Sequence, residues 1–271
     1  MKKGVVSVCR LCLNEKQLIK KSHIIPEFMY KDLFDENHKM FSFNPYQRVR
    51  SEGFIKRPSS GEWEGGLLCS DCDNRLLGGY ESYASKAIYG GKLQEDESPV
   101  CNNYINKEGV QFSTCTNISY AKMKIFLLSI LWRASISSRP LFSEISLGAH
   151  EEIIRKMIYD EAPGNINDYP IIIMTSIKDK SMPKDIIFHP SKLRMEGGSR
   201  VYNFMIGAIY YLFYVNSKSH SLPEFVLNQT LNPKYELNII HMPEGVSIQI
   251  LRSYLGLSKQ YTYFLLSHGS L

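Results

Sequence analysis

The chain has 271 residues, 44% hydrophobic and 22% charged, which is enough apolar side chain for one large core or two modest ones and excludes a disordered or low-complexity protein. Its longest apolar run, Phe204 to Val215, falls short of the ~20 residues a membrane helix needs, so no membrane partner is expected. The first residues, MKKGVVSVCRLC, meet Cys9, Arg10 and Cys12 before a secretory apolar core can develop, so the expected location is cytoplasmic. A net charge of +5 is compatible with a polyanionic partner without demanding one.

In chain order, the strand-like GVVSV leads into Cys9-Arg10-Leu11-Cys12, a two-residue knuckle that can aim both sulfurs at one point. The segment LIKKSHIIPEFMYKDLF follows. His23 stands near the end of an extended stretch, and Pro26 then opens a helix because its missing N–H and fixed φ suit a first turn. Glu27 matches the positive helix N-terminus, and Phe28, Leu33 and Phe34 offer packing positions. A histidine so placed can serve as a general base or be an ordinary satisfied core residue. The stretch YQRVRSEGFIKRPSSGEW is loop-like through Pro58 to Gly61 and mixes Tyr46, Phe54 and Trp63 with cations, which suits a strand-tracking surface and equally a solvated loop.

The second knuckle, Cys69-Ser70-Asp71-Cys72, is preceded by Leu67 and Leu68. Two such knuckles supply the four soft ligands of a tetrahedral structural Zn²⁺, in a strand-then-knuckle pattern that suits zinc ribbons and treble-clef fingers. A redox pair, chance spacing in a core and a disulfide framework are the alternatives, and a reducing cytosol argues against the last. Cys101 and Cys115 lack a partner in ligand spacing and read as ordinary thiols. Glu81 lies two helical turns beyond Asp73 and Asn74, on roughly the same face of the helix that should follow.

Residues 90–100 combine paired glycines, an acidic run and Pro99, placing a domain boundary near residue 92. Beyond it, Ser119 precedes a helix over YAKMKIFLLSILWRASIS, whose Ile125, Leu128, Leu131 and Trp132 recur at three- and four-residue steps. Arg133 suits that helix's C-terminal half. A second helix covers HEEIIRKMIYDE and ends before Pro163-Gly164. Strands are expected over YPIIIMTSI, DIIFHP, RVYNFMIGAIYYLFYV, ELNIIHM and QYTYFLL, with a buried helix as the alternative around Tyr210 to Tyr214.

A C-x-x-C pair, then His23-Ile24-Ile25-Pro26, then Leu68-Cys69-Ser70-Asp71-Cys72-Asp73 resembles the HNH (ββα-metal, His-Me finger) endonucleases in their zinc-stapled form. The resemblance covers residues 5–90. It implies an α+β fold in which a zinc-bound, treble-clef-like ββα-metal finger, residues 1–92, precedes a larger α+β domain, residues 93–271, with helices and an antiparallel sheet. It implies phosphodiester hydrolysis, with DNA as substrate and phage defence or restriction as the setting. His23 would be the base that deprotonates the attacking water, and a catalytic Mg²⁺ or Mn²⁺ would stabilise the developing charge. Ser22 stands where the family carries an acidic ligand and Asp73 where it carries a final histidine, so Asp73, Asn74 or Glu81 would substitute as oxygen donors. Phosphate contacts would come from Lys20, Lys21, Arg48, Arg50, Lys56, Arg57 and Arg75. The 93–271 unit would shape the substrate, form a homodimer or dock a companion defence protein. The alternative function is a non-catalytic zinc module that binds nucleic acid or a protein.

Overall fold

The computed structural model describes residues 6–44, 46–47, 54–107, 109–180, 185–194, 200–215, 224–234 and 236–249. The chain opens with two three-residue strands, β1 (Val6–Val8) and β2 (Glu15–Gln17), paired antiparallel on either side of the first knuckle. Next come β3 (Ser22–His23), a 3-10 turn over Glu27–Leu33 behind Pro26, β4 (Phe41–Phe43), β5 (Ile55–Lys56) and β6 (Trp63–Glu64). The second knuckle leads into a π-helical turn, Asp71–Leu77, continuous with α1 (Gly78–Ile88).

A 3-10 turn, Glu95–Glu97, precedes the hairpin of β7 (Val100–Ile105) and β8 (Gln111–Thr116). Then follow α2 (Tyr120–Ile136), a short 3-10 turn at Pro140–Phe142, and α3 (Ala149–Tyr159). The remaining elements are β9 (Ile171–Thr175), β10 (Ile186–Phe188), β11 (Ser191–Arg194), β12 (Arg200–Ile206), β13 (Ile209–Val215), α4 (Glu224–Gln229) and β14 (Leu237–His241).

The architecture is α+β around one large sheet, which holds ten strands among the described residues in the order β5-β4-β10-β12-β13-β9-β14-β8-β7, with β11 also on β12. The sheet is mixed rather than purely antiparallel, because β4 runs parallel to β10 and β14 parallel to β9. β4 and β5 lie before residue 92, so strands from both sides of the expected boundary share the sheet, and one apolar cluster runs from Cys9 to Leu237. The Tyr210 to Tyr214 stretch is strand. β12 and β13 form a hairpin in which Ile206 opposes Ile209, and Gly207 at φ +59° supplies the left-handed turn residue that a two-residue connection requires.

Helix α2 packs inside the molecule, with 13 of its 17 residues buried. Its start is set by Ser119, whose hydroxyl accepts from the Lys122 N–H, and an almost continuous apolar run leaves no solvent face. Cys101 and Cys115 are not separate thiols: the β7–β8 register sets them directly opposite and they form a disulfide, a pairing that depends on cross-strand register rather than on spacing along the chain. The expected QYTYFLL strand lies outside the described residues. Among the described residues no helix is long and apolar enough to cross a membrane.

Candidate functional site

The two knuckles are drawn together by backbone hydrogen bonds between their flanks. Arg10 N–H donates to Leu67 O (2.9 Å), Ile19 N–H to Leu68 O (2.9 Å) and Gly66 N–H to Ile19 O (3.0 Å). Gly65 permits this closeness, since a Cβ there would lie 2.4 Å from Lys20 O. Leu13, at φ +60°, closes the first knuckle through its N–H to Cys9 O.

As a result the sulfurs of Cys9, Cys12, Cys69 and Cys72 all lie within 4.8 Å of one another. Four sulfurs at ~2.3 Å from a tetrahedral ion would stand roughly 3.8 Å apart, so a small contraction seats one. Cys9 Sγ also accepts the Cys69 N–H (3.4 Å), the kind of amide contact that orients a thiolate ligand. Ionisation is uneven across the cluster. The Cys72 thiol holds Cys9 well below the ordinary thiol range and is itself pushed up by the same contact, while burial raises Cys69. Several thiolates at this spacing repel one another strongly unless a cation sits among them, so the four cysteines can hold a metal ion and their soft donor set is compatible with structural zinc.

Beside this cluster, β3 pairs antiparallel with β6, setting Ser22 against Glu64 and His23 against Trp63. The helix that starts at the second knuckle returns over the pair. Ser22 Oγ–H donates to Asp73 Oδ1 at 2.5 Å, joining the residue before the histidine to the residue after the last cysteine. The His23 side chain is 22% exposed, and its Nε2 is buried, 3.9 Å from Glu27 Oε2. Burial depresses the imidazole pKa and Lys21 adds to the effect, while Glu27, Glu81 and Asp73 oppose it. The net shift is downward, so the ring is neutral near pH 7.

Of the other candidate oxygen donors, Glu81 Oε1 lies 2.8 Å from Arg133 Nη1, and Arg133 is almost fully buried in α2. The same guanidinium donates to His23 O (2.7 Å) and to Ser129 O (3.3 Å). Asn74 is exposed and turns its amide to Ser70 Oγ (3.0 Å). His23, Asp73 and Glu81 therefore share one neighbourhood and Asn74 faces its own turn. Among the described residues the four cysteines are the one group of three or more His, Cys, Asp or Glu with metal-holding geometry.

The cations divide similarly. The Lys21 ammonium lies 5.7 Å from the Trp63 ring centroid, next to His23 through the β3–β6 register. Lys20 is exposed in the same segment. Lys56 lies on β5, and Arg57 is engaged by Asp35 and by the Phe41 ring at 4.5 Å. Arg75 is exposed on the π-helical turn, where it adds to the Lys16 contact that lowers the Asp71 carboxyl. Arg48 and Arg50 lie outside the described residues.

Three further residues frame the site: Arg133, Arg139 and Glu64. Arg139 donates from Nε to Trp63 O (2.8 Å) and sits 5.2 Å from the indole centroid. Glu64 fastens β6 to the end of α2 by accepting from Ser137 Oγ (2.7 Å), Ser138 N (2.9 Å) and Ser138 Oγ (2.6 Å), bonds that outweigh its burial and lower its pKa. No spacing rule connects Arg133 or Arg139 to a histidine more than 100 positions earlier. Comparison with known proteins yields no matching family model, no similar curated protein and no similar solved structure.

Proposed function

We propose that this protein is an HNH-type, metal-dependent endonuclease that hydrolyses phosphodiester bonds, with DNA as substrate, on a zinc-held ββα-metal finger of the treble-clef kind. The observation that carries the reading is the contact of Ser22 with Asp73, which brings a carboxylate into the field of a neutral, partly exposed imidazole directly beside a four-cysteine cluster. In this reading Zn²⁺ is structural and held by Cys9, Cys12, Cys69 and Cys72. His23 takes the proton of the attacking water, a role that needs the unprotonated ring its burial favours. A Mg²⁺ or Mn²⁺ would supply Lewis acidity toward the phosphoryl oxygens when bound, and Asp73 would be the carboxylate that holds it. Lys21 and Arg139 flank the Trp63 ring, whose strand pairs with that of His23, and cations with an aromatic face suit a nucleotide. Phage defence or restriction is the setting that the HNH resemblance suggests.

One observation favours the second reading, a non-catalytic zinc module that binds nucleic acid or a protein: of the three candidate oxygen donors, Glu81 is spent on Arg133 and Asn74 on Ser70, which leaves Asp73. A nicking assay separates the two. Wild type should nick supercoiled plasmid with Mg²⁺ or Mn²⁺ and stop with EDTA, and His23→Ala should lose about 10²- to 10⁴-fold in rate with zinc content and melting temperature unchanged. Wild type that is inert on supercoiled, linear and single-stranded DNA and on RNA would leave the binding reading standing.

A further inference from the structure

The two ring nitrogens of His23 stand in different surroundings. Nε2 is buried without a hydrogen-bond partner, although the side chain as a whole is 22% exposed. The exposure therefore falls on the rest of the ring, and Nδ1, which is not among the buried unpartnered atoms, is the nitrogen left for solvent. A neutral imidazole carries one N–H, so one nitrogen donates and the other accepts. The choice between them is set by what each nitrogen can bond.

Glu27 Oε2 lies 3.9 Å from Nε2, four residues on and at the start of the 3-10 turn behind Pro26. After burial, Glu27 acts most strongly on the imidazole, ahead of Lys21, Glu81 and Asp73. Glu81 is paired with Arg133 and Asp73 accepts from Ser22, whereas Glu27 engages no lysine or arginine among the described residues. The His23 main chain is fixed, by the β3–β6 register and by Arg133 Nη1 donating to its carbonyl at 2.7 Å. The Glu27 side chain is 65% exposed and has room to turn. A shift of about 1 Å brings its carboxylate within the ~2.9 Å of a hydrogen bond.

We infer that Glu27 is a positioning residue that accepts the Nε2–H of His23 and so holds the neutral ring with its Nδ1 lone pair toward solvent. Without that carboxylate a proton on Nε2 would be a buried donor with no acceptor, which is costly, and the proton would move to Nδ1, where water can take the bond. The consequence for catalysis rests on the endonuclease reading. In that reading Nδ1 is the atom that takes the water proton, and Glu27 then stabilises the imidazolium, which carries a proton on each nitrogen. The hold of Glu27 on the ring does not depend on that reading and can be measured apart from it.

Nitrogen-15 NMR of the full, zinc-loaded chain at about pH 8, where a histidine ring is neutral, reads the tautomer directly, with the His23 signals identified by their loss in His23→Gln. Wild type should show Nε2 protonated and Nδ1 bare. Glu27→Ala should move the ratio of the two forms at least about tenfold toward Nδ1–H, with zinc content and melting temperature unchanged. Glu27→Gln, which keeps an acceptor oxygen at that place, should restore the wild-type pattern. A wild-type ring protonated at Nδ1 overturns the inference, and so does a Glu27→Ala ring that keeps the wild-type ratio. In plasmid nicking Glu27→Ala should lower kcat about tenfold with KM unchanged, in proportion to the lost tautomer. A tautomer shift with kcat unchanged overturns the role in proton transfer. Wild type that has the expected tautomer and cuts nothing would sink the endonuclease reading and leave the hold of Glu27 on the ring established.

Discussion

The knuckle region and the region around α2 are held by different means. β1, β2, β3 and β6 are two or three residues long, and the first two are largely exposed. Such short ladders have little stability of their own, and what gathers them is a set of four cysteines and a few backbone bonds. Helix α2 is enclosed on every side, and β12 and β13 add seven-residue strands with mostly buried side chains. Both regions contribute to the apolar cluster that runs from Cys9 to Leu237, but the knuckles depend on ligand chemistry as well, so loss of a ligand should affect them first.

The largest effect tests that contrast directly. Cys72→Ser removes one of four sulfur donors and should release zinc and unfold the knuckles, on the order of 10 kcal/mol or more of lost metal-linked folding free energy. Hydrogen exchange should then rise in residues 9–23 and 63–77 while β12 and β13 amides stay protected. Equal loss of protection in both regions would break the contrast.

Arg133 is where the two regions are tied. Arg133→Met would leave the Glu81 carboxylate and the His23 carbonyl without their guanidinium, at a cost of about 3 kcal/mol in denaturant unfolding. Adding Glu81→Gln should restore part of that loss, and strict additivity of the two changes would show that the pair is not coupled.

Lys124 sharpens the comparison with the opposite sign. It is fully buried in α2, its Nζ has no hydrogen-bond partner, and burial draws the amine down to about 7 despite the opposing charge of Asp168. Between about pH 7 and the ordinary lysine range the unfolded chain holds more protons than the folded one, so stability from this group rises with pH and its cost is full below about pH 7. Lys124→Met should stabilise the fold by about 2 kcal/mol, with a larger gain in melting temperature at pH 6 than at pH 9. An equal gain at both values would mean that the amine does not titrate in this window.

The smallest effect concerns the surface pair Lys16–Asp71 (2.6 Å), which links the strand after the first knuckle to the second. Lys16→Ala should leave the melting temperature unchanged within measurement and zinc retention intact, because exposed ion pairs contribute little. A measurable loss of zinc would show that this pair helps hold the knuckles together.

The features legible beforehand were those written in short spacings. Both C-x-x-C knuckles, the turn behind Pro26, α2 with its Ser119 cap, and α3 ending before Pro163 all follow from neighbours a few positions apart. The Cys101–Cys115 bridge was not legible, because it depends on the β7–β8 register across a turn. Nor was the parallel pairing of β4 with β10, which joins residues about 145 positions apart. At the site, Asp73 could be selected as an oxygen donor from its place after Cys72, but its hydrogen bond from Ser22 is a property of the folded chain. Glu81 shared the expected helix, yet its ion pair with Arg133 comes from α2.

By itself, then, the order of residues determined which side chains can be metal ligands, where α2 and α3 run, and which histidine stands beside a proline-led turn, since these depend on local spacing and covalent geometry. Only the tertiary structure decided that four sulfurs converge, that Arg133 clamps both Glu81 and the His23 backbone, and that the two halves of the chain share one sheet. Those outcomes depend on packing between distant segments, where burial and pairing are settled jointly and no single stretch carries the information.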